Sequence, residues 1–265
     1  MTIYFLGGGN MARAIIAGLR AQSPDDAIFV ANRSAEKNAR LQQDFHVATD
    51  FRLPETLSPQ DVLILAVKPQ DMKAALQNVR HGGALILSLA AGLAVDTLAN
   101  WLGTHRIVRV MPNTPCAVGL GVSGLFAAEG MSASDCAIAE KIMAACGVTI
   151  WLNDEKMMNA ITAISGSGSA YVFYLMNALQ KAAAGLGFAD ETARTLALNT
   201  FRGAVALAEQ SGEDFFILQQ QVTSKGGTTF AALTKFEECG VADGLTEGVH
   251  AAATRSAELA QILKD

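Results

Sequence analysis

Residues 2–12 read Thr2-Ile3-Tyr4-Phe5-Leu6-Gly7-Gly8-Gly9-Asn10-Met11-Ala12, an apolar run that leads directly into glycines. Gly7, Gly9 and Ala12 fit the pattern G-x-G-x-x-G/A. In this pattern the first glycine makes a tight turn, the second lets the backbone approach a pyrophosphate, and the small third residue lets a helix pack on a strand. A pyrophosphate would bind the free N–H groups at the start of that helix. The stretch predicts a dinucleotide-binding turn, with an ordinary strand-to-helix turn as the alternative.

Polar residues after the second predicted strand indicate which dinucleotide is bound. Residues 27–31 predict this strand, and Asn32, Arg33 and Ser34 follow it where NAD-specific proteins usually have Asp or Glu. A carboxylate would repel the 2′-phosphate of NADP, whereas a guanidinium, an amide and a hydroxyl can bind it. The sequence therefore predicts NADPH as the cofactor, with NADH as the second candidate. The alternative is a polar loop in which Ser34 only caps the next helix.

Composition places the chain among well-buried globular proteins. Its 265 residues are 51% hydrophobic and 17% charged, which suits two domains of ordinary size. The net charge of −5 comes without basic clusters, so we expect no nucleic-acid partner. The first strand begins at residue 2 and leaves no room for a secretory signal. The cysteines lack metal-ligand spacing, so we expect no metal, reduced thiols and a cytoplasmic location; they are Cys116, Cys136, Cys146 and Cys239.

An uncharged span between Lys156 and Lys181 is long enough to cross a membrane. Small polar residues interrupt it, above all at 165–169, where the chain reads Ser-Gly-Ser-Gly-Ser. Such residues suit close helix packing better than contact with lipid. We therefore expect no membrane partner and a helix buried in a subunit interface.

Secondary-structure patterns divide the chain into two halves. Apolar runs at 61–67, 84–89 and 106–110 predict buried parallel strands that alternate with helices, and later strands are predicted at 121–126 and 148–152. After Leu152 the pattern is helical and Ala-rich. The predicted fold is α/β, a Rossmann-type doubly wound sheet over residues 1–152 followed by an all-α dimerisation domain over residues 153–265. About 110 residues cannot bury so much apolar helix surface alone, so we expect a homo-oligomer.

Three strand ends in the first half carry residues suited to a ligand, and open parallel sheets bind ligands beyond the carboxyl ends of their strands. Lys68 and Pro69 follow the central strand, where a cation suits a phosphate or a ribose. Residues 90–92, Ala-Ala-Gly, would let a flat ring lie against the backbone. Asn113 lies between two prolines and could hydrogen-bond a carboxamide. Each end taken singly could also be an ordinary loop.

A second group of small and hydroxyl residues lies far downstream, at the start of a predicted helix. Residues 222–229 read Val-Thr-Ser-Lys-Gly-Gly-Thr-Thr. Free N–H groups, hydroxyls and glycines that permit close approach make a site for a carboxylate or a phosphate. A threonine-capped helix after a flexible loop is the alternative.

In this order, the motifs resemble those of the pyrroline-5-carboxylate reductases over nearly the whole chain. They are Gly7-Gly8-Gly9-Asn10-Met11-Ala12, Ala66-Val67-Lys68-Pro69, Met111-Pro112-Asn113-Thr114-Pro115, Ser165-Gly166-Ser167-Gly168 with Ala170-Tyr171, and Ser224-Lys225-Gly226-Gly227-Thr228-Thr229. The resemblance implies reduction of the cyclic imine Δ1-pyrroline-5-carboxylate to L-proline with NAD(P)H, the last step of proline biosynthesis. It also implies a Rossmann domain followed by a helical domain that interlocks two subunits, in dimers that often assemble into decamers.

The resemblance also assigns roles by position. The cofactor would be bound by Leu6, Gly7, Gly8, Gly9, Asn10, Met11, Ser34, Ala66, Val67, Lys68 and Pro69, with Asn113 near the nicotinamide. The substrate carboxylate would be bound by Ser224, Gly226, Gly227 and Thr228, and Thr229, the expected catalytic residue, would reach the ring nitrogen. The partner subunit could complete the site. Ser169 and Lys225 stand where many family members have proline, and Lys225 adds a cation beside the expected carboxylate.

The motifs leave further functions open. The β-hydroxyacid dehydrogenases share this layout but have a catalytic lysine four residues after a glycine, where this chain has Val172 after Gly168. A distant imine reductase or a non-catalytic NADP sensor would also fit the motifs. Ketone reduction needs a positioned His or Lys as proton donor, and the four histidines lie outside the motifs. A cyclic imine is more basic and can arrive already protonated, so the protein mainly needs to orient two reactants.

Overall fold

The computed structural model describes residues 1–263, which form two compact units. One unit comprises residues 1–169 with the C-terminal segment from Ala251, and the other comprises residues 170–250. The strands are β1 (Thr2–Leu6), β2 (Ala27–Ala31), β3 (Ala48–Asp50), β4 (Val62–Leu65), β5 (Leu85–Ser88), β6 (Ile107–Met111), β7 (Gly121–Ala127) and β8 (Gly147–Trp151). The helices are α1 (Asn10–Gln22), α2 (Ala35–Phe45), α3 (Pro69–Leu76), α4 (Val95–Leu102), α5 (Ala133–Ala144), α6 (Met157–Ile161), α7 (Gly168–Gly185), α8 (Asp190–Ser211), α9 (Phe215–Gln221), α10 (Thr228–Glu238) and α11 (Val241–Ile262), with a 3-10 turn at Thr114–Val118 and a π-helical segment at Thr162–Gly166.

The strands form one sheet in the order β3-β2-β1-β4-β5-β6-β7-β8. Neighbours from β3 to β6 pair in parallel, as the predicted Rossmann-type doubly wound sheet requires, and the fold class is confirmed. β7 runs antiparallel to β6, and β8 is parallel to β7. Only residues 112–120 connect β6 to β7, whereas a parallel crossover needs about a dozen residues or more. The short connection therefore reverses the chain.

Side chains that alternate along the central strands build a core on each face of the sheet. Ile3 and Phe5 of β1 pack into one core with Ile15 and Ile16 of α1. Leu63 and Leu65 of β4 pack into the other, which includes residues of α3 and α4. All four residues of β4 are buried, because helices cover a central parallel strand on both sides.

The helical pattern predicted after Leu152 is interrupted by the π-helical segment, which the N–H of Ser167 closes by donating to the carbonyl of Thr162 at 2.8 Å. Residues 153–169 pack on the sheet: a Cβ added to Gly124 of β7 would lie 2.9 Å from the side chain of Ile161. The segment from Ala251 also belongs to this unit. The compact units therefore differ from the predicted division between residues 152 and 153 in two segments, residues 153–169 and the segment from Ala251.

The unit of residues 170–250 is helical and lacks a core of its own. Its buried residues are three alanines, Ala183, Ala193 and Ala197, whereas large apolar side chains such as Tyr174, Leu186 and Phe215 are exposed. Small residues of this kind cannot stabilise a folded unit by themselves, so the exposed apolar side chains must be covered by another chain. No helix within residues 1–263 combines the length and the apolar character needed to span a bilayer.

Candidate functional site

The carboxyl ends of the parallel strands lie in register at one edge of the sheet. Leu6 of β1 pairs with Ala31 of β2 on one side and with Leu65 of β4 on the other. Leu65 in turn pairs with Ser88 of β5, and Ser88 pairs with Arg109 of β6. The residues that follow these positions therefore share one edge, where open α/β sheets bind ligands. This edge carries every predicted cofactor residue.

The three glycines after β1 have different surroundings. Gly7 has φ of +104°, and a Cβ added to it would lie 2.8 Å from the carbonyl oxygen of Ala66. Gly8 is buried, and its added Cβ would lie 3.2 Å from Cγ of Asn32. Gly9 precedes α1, and within the described residues no atom beyond its local backbone lies within 4 Å of such a Cβ. Gly7 and Gly8 are thus required by packing, whereas the space beside Gly9 is open for a ligand.

The start of α1 provides donors for a pyrophosphate. Gly9 is its N-cap, no side chain of residues 1–263 caps it, and its first turn contains no acidic residue. The unpaired N–H groups and the positive end of the helix dipole favour an anion at this position. Asn10 is exposed beside this turn, while Met11 packs against the core. The geometry fits a dinucleotide phosphate.

The polar residues after β2 divide their contacts between structure and surface. Ser34 caps α2, because its Oγ accepts a hydrogen bond from the N–H of Lys37 at 3.3 Å. Asn32 donates from Nδ2 to the carbonyl of Ser34 at 3.3 Å and lies against Gly8. The side chain of Arg33 is 90% exposed, and its Nη2 lies 3.6 Å from Asp71 of α3. Ser34 therefore has a structural role as a helix cap, and Asn32 and Arg33 are the other two polar residues at the sheet edge that carries the glycine turn.

Sequence reasoning missed a group of cations beside the glycine turn. A cavity of about 480 Å³ is lined by Gly8, Gly9, Asn10, Arg13, Lys37, Arg40, Leu41 and Asp44. Arg13 pairs with Asp44 at 2.6 Å, and Arg40 pairs with Glu36 at 2.7 Å. The ammonium group of Lys37 has no acidic partner in the part of the chain that the structure describes. The spacing of Lys37 and Arg40 after the helix cap at Ser34 places both on one face of α2, which is the signal that could have revealed them.

The segment after β4 lies next to the glycine turn. The N–H of Ala66 donates to the carbonyl of Leu6 at 2.9 Å, which brings residues 66–69 beside Gly7. Val67 packs against the core, Lys68 is exposed at the N-cap of α3, and Pro69 is its first residue, where a missing N–H is harmless. Gly92 lies in the loop that follows β5. It is not open to a ligand, because Ala260 and Leu263 of the C-terminal segment cover it.

Asn113 is 8% exposed and holds three parts of the chain together. Its Oδ1 accepts a hydrogen bond from the N–H of Val122 at 2.9 Å, and its Nδ2 donates to the carbonyl of Ser165 at 3.2 Å. These bonds tie the end of β6 to β7 and to the π-helical segment. One amide hydrogen remains for a ligand, so the expected contact with the nicotinamide stays a prediction beside a structural role that the sequence did not reveal.

Two buried thiols lie close to the chain that follows Asn113. Cys116 in the 3-10 turn and Cys146 before β8 are both free. A hydrogen bond from the thiol of Cys146 lowers the pKa of Cys116 to about 6, and the same contact raises the pKa of Cys146. Both sulfurs belong to the core that packs on α1, so we assign them to packing and not to the ligand edge.

The second predicted cluster lies in the helical unit, at the start of α10. Ser224 to Gly227 form a tight turn, in which the N–H of Gly227 donates to the carbonyl of Ser224 at 3.0 Å. Gly226 has φ of +74°, which favours glycine, and a Cβ added to Gly227 would meet Oγ of Ser224, which would have to rotate away. No side chain of the described chain caps α10, so the N–H groups of its first turn and the hydroxyls of Thr228 and Thr229 are available to an anion.

The predicted site residues therefore form two groups, one in each compact unit. Leu6 to Met11, Asn32 to Ser34, Ala66 to Pro69 and Asn113 belong to the sheet unit, and Ser224 to Thr229 belong to the helical unit. Among residues 1–263, no three His, Cys, Asp or Glu side chains form a group suited to a metal.

Comparison with protein families identifies both halves. The family model described as pyrroline-5-carboxylate reductase dimerisation matches residues 155–259. The model described as NADP oxidoreductase, coenzyme F420-dependent, matches residues 2–92. The two matches correspond to the helical part and to the glycine turn with the first strands.

Individual relatives match over nearly the full chain. Pyrroline-5-carboxylate reductase from Pseudomonas aeruginosa is 41% identical, covering 98% of this chain and 97% of the relative, and the one from Arabidopsis thaliana is 36% identical over 97% and 95%. A structure of a pyrroline-5-carboxylate reductase from Coxiella burnetii has a TM-score of 0.89 at 39% identity, covering 97% of this chain and 98% of that one. A structure of the Plasmodium falciparum enzyme with NADP bound has a TM-score of 0.83 at 26% identity, covering 98% of each chain. The chain therefore belongs to the pyrroline-5-carboxylate reductase family.

Proposed function

We propose that the protein reduces Δ1-pyrroline-5-carboxylate to L-proline with NADPH, the last step of proline biosynthesis. The observation that carries this proposal is the pair of uncapped helix starts, at α1 and α10, each preceded by glycines. One suits the pyrophosphate of a dinucleotide and the other suits a small carboxylate. Full-length similarity to reductases of this name supports the assignment.

The residues of the sheet unit hold the cofactor in this proposal. The N–H groups that begin α1 bind the pyrophosphate, Gly9 leaves room for it, and Asn32, Arg33, Ser34 and Lys37 recognise the 2′-phosphate. NADPH supplies a hydride when it is bound. NADP in the Plasmodium falciparum relative supports this choice of cofactor.

The residues of the helical unit hold the substrate. The first turn of α10, with Ser224, Gly226, Gly227 and Thr228, binds the carboxylate, and the hydroxyl of Thr229 orients the ring nitrogen. The imine is protonated before it accepts hydride, so the site needs no acidic side chain. Val172 of α7, where a β-hydroxyacid dehydrogenase has a lysine, favours an imine substrate over a ketone.

The helical unit also determines the assembly. The dimerisation family match and the exposed apolar side chains indicate a homo-oligomer. We propose a homodimer that can associate into a decamer, in the cytoplasm, where its four free thiols stay reduced.

The experiment that tests this function follows the absorbance of NADPH at 340 nm while purified protein is mixed with the cyclic imine, and proline is measured by chromatography. We expect NADPH oxidation matched by proline formation. An NADP sensor would bind the cofactor and leave the absorbance unchanged, and oxidation without proline would contradict the proposed substrate.

Thr229→Ala tests the orienting role, and Thr234→Ala on the same helix is the matched control, because Oγ1 of Thr234 donates to the carbonyl of Phe230 at 2.9 Å. Thr229→Ala should lower kcat about tenfold, the effect of a loosely oriented reactant. Thr234→Ala should leave kcat unchanged. Complete loss of turnover in Thr229→Ala with the imine still bound would mean that the hydroxyl takes part in the chemistry and does more than orient.

A further inference from the structure

Glu155 connects the start of α4 to the middle of β6. Its Oε1 accepts a hydrogen bond from the N–H of Val95 at 2.8 Å and lies 2.7 Å from Nη1 of Arg109. Val95 begins α4, three residues after the Ala90-Ala91-Gly92 loop that follows β5. Arg109 lies in β6, four residues before Asn113. One carboxylate oxygen thus joins the helix that follows the β5 loop to the strand that leads to Asn113.

Low exposure makes this contact specific. The side chain of Arg109 is 11% exposed and that of Glu155 is 28% exposed, so water screens the pair only in part. A shielded ion pair of this kind adds little net stability compared with apolar packing, but it enforces one geometry, and removal of one partner leaves an uncompensated charge. The arrangement is therefore better explained by the geometry that it fixes than by stability.

A second contact reaches the same loops from the same segment. Ser165 of the π-helical segment accepts the hydrogen bond from Nδ2 of Asn113. Glu155 and Ser165 lie at the two ends of the short segment that leads from the sheet into α7. π-Helical turns are rare and often mark functional sites. The segment therefore contacts the start of α4 and the middle of β6 through Glu155, and the loop after β6 through Ser165.

We propose that Glu155 is a positioning residue for the nicotinamide, which it aligns through Val95 and Arg109 by fixing the loops after β5 and β6. The inference rests on the proposed function, because only a reductase needs the nicotinamide held in one orientation. Loss of Glu155 leaves the glycine turn and the 2′-phosphate residues intact. It should therefore affect hydride transfer more than cofactor affinity.

The test compares Glu155→Gln and Glu155→Ala with a matched control, Asp135→Asn, which removes an ion pair at the start of β6. Arg106 precedes β6 and pairs with Asp135 at 2.6 Å, so Asp135→Asn breaks an equally short ion pair away from the ligand edge. Glu155→Gln keeps an acceptor for the N–H of Val95 and loses the charge, and it carries the test if Glu155→Ala does not fold.

We expect Glu155→Ala to lower kcat about tenfold or more, since small misplacements of reactants have effects of this order. Glu155→Gln should lie between it and the unmodified protein, and the KM for NADPH should change less than about threefold, because binding of the cofactor is largely preserved. The deuterium isotope effect with 4-deuterated NADPH should rise in both, because hydride transfer becomes slower. Asp135→Asn should lower thermal stability and leave kcat and the isotope effect unchanged.

Two outcomes would overturn the proposal: an unchanged kcat and isotope effect in both Glu155 variants, or an equal change in Asp135→Asn. The fluorescence emission of bound NADPH, measured without imine, distinguishes failure of the positioning role from failure of the proposed function. A changed nicotinamide emission in the Glu155 variants supports positioning whichever imine is the substrate, whereas an unmodified protein that binds NADPH and never oxidises it contradicts the proposed function alone.

Discussion

Alanine substitution of Gly9 should impair cofactor binding and spare the fold, whereas the same change at Gly7 should do the reverse. Gly9 has φ of −79°, which alanine adopts freely, and its added Cβ would point into open space beside the start of α1. Gly7 has φ of +104° and its added Cβ would meet the carbonyl of Ala66 at 2.8 Å. The two glycines of one motif therefore serve different purposes.

The magnitudes follow from these surroundings. Gly7→Ala combines backbone strain of about 1–3 kcal/mol with overpacking of about 1–3 kcal/mol, so we expect a loss of about 2–6 kcal/mol in the free energy of unfolding. Gly9→Ala should cost less than about 1 kcal/mol, the difference between glycine and alanine at an N-cap. Its KM for NADPH should rise about tenfold or more, because about 1.4 kcal/mol of binding free energy corresponds to tenfold.

Gly103→Ala is the control for backbone strain alone. Gly103 follows α4 with φ of +71°, and within residues 1–263 nothing lies close to its added Cβ beyond the local chain. The Gly103→Ala variant should lose about 1–2 kcal/mol in the free energy of unfolding and have an unchanged KM for NADPH. Urea denaturation and initial-rate kinetics measure both quantities. A normal KM for NADPH in Gly9→Ala, or a loss of stability equal to that of Gly7→Ala, would refute the assignment of Gly9 to the pyrophosphate.

Two further predictions concern charges. Lys37→Ala should raise the KM for NADPH about tenfold, since a phosphate loses a cation, and leave the KM for NADH unchanged; an equal effect on both cofactors would place Lys37 away from the 2′-phosphate. Lys141→Ala, which removes an exposed lysine of α5 outside this cavity, is its control and should leave both KM values unchanged. The hydrogen bond from Arg106 lowers the pKa of Asp135, so this carboxylate stabilises the fold above the pKa of the unfolded chain and loses that effect as pH falls through the folded value. Asp135→Asn should therefore lose about 2–3 kcal/mol at pH 7, and this loss should shrink progressively as pH falls below about 4, measured by urea denaturation; a loss that stays constant over this pH range would contradict the ion pair.

Local patterns were sufficient to predict most of the sheet. The apolar run that ends at Gly7 and the continuous run around β4 identify buried parallel strands, because each pattern is complete within a few residues. The reversal of β7 was not predicted, although the short connection of residues 112–120 contained the signal. Chain length between strands, more than residue type, decides that step of the topology.

The polar contacts around the loops after β5 and β6 were the least predictable part of the structure. Glu155 meets Val95 and Arg109 across 60 and 46 residues of sequence, and Asn113 meets Ser165 across 52. No periodicity in one sequence specifies such partners, because the fold alone brings them together. Motif reasoning finds residues that touch a ligand through backbone geometry, and it overlooks the side chains that hold those motifs in place.

In the proposed function, the helical unit links assembly to substrate binding. It carries Ser224 to Thr229, yet its own buried residues are three alanines, so contacts with another chain must supply most of its stability. The sheet unit has two apolar cores and the glycine turn, and needs no such help. Conditions that dissociate the oligomer should therefore remove substrate binding first and leave NADPH binding to the sheet unit. In the proposed function the chain is active only where it is assembled, since the proposed carboxylate site lies on a helical unit that another copy stabilises.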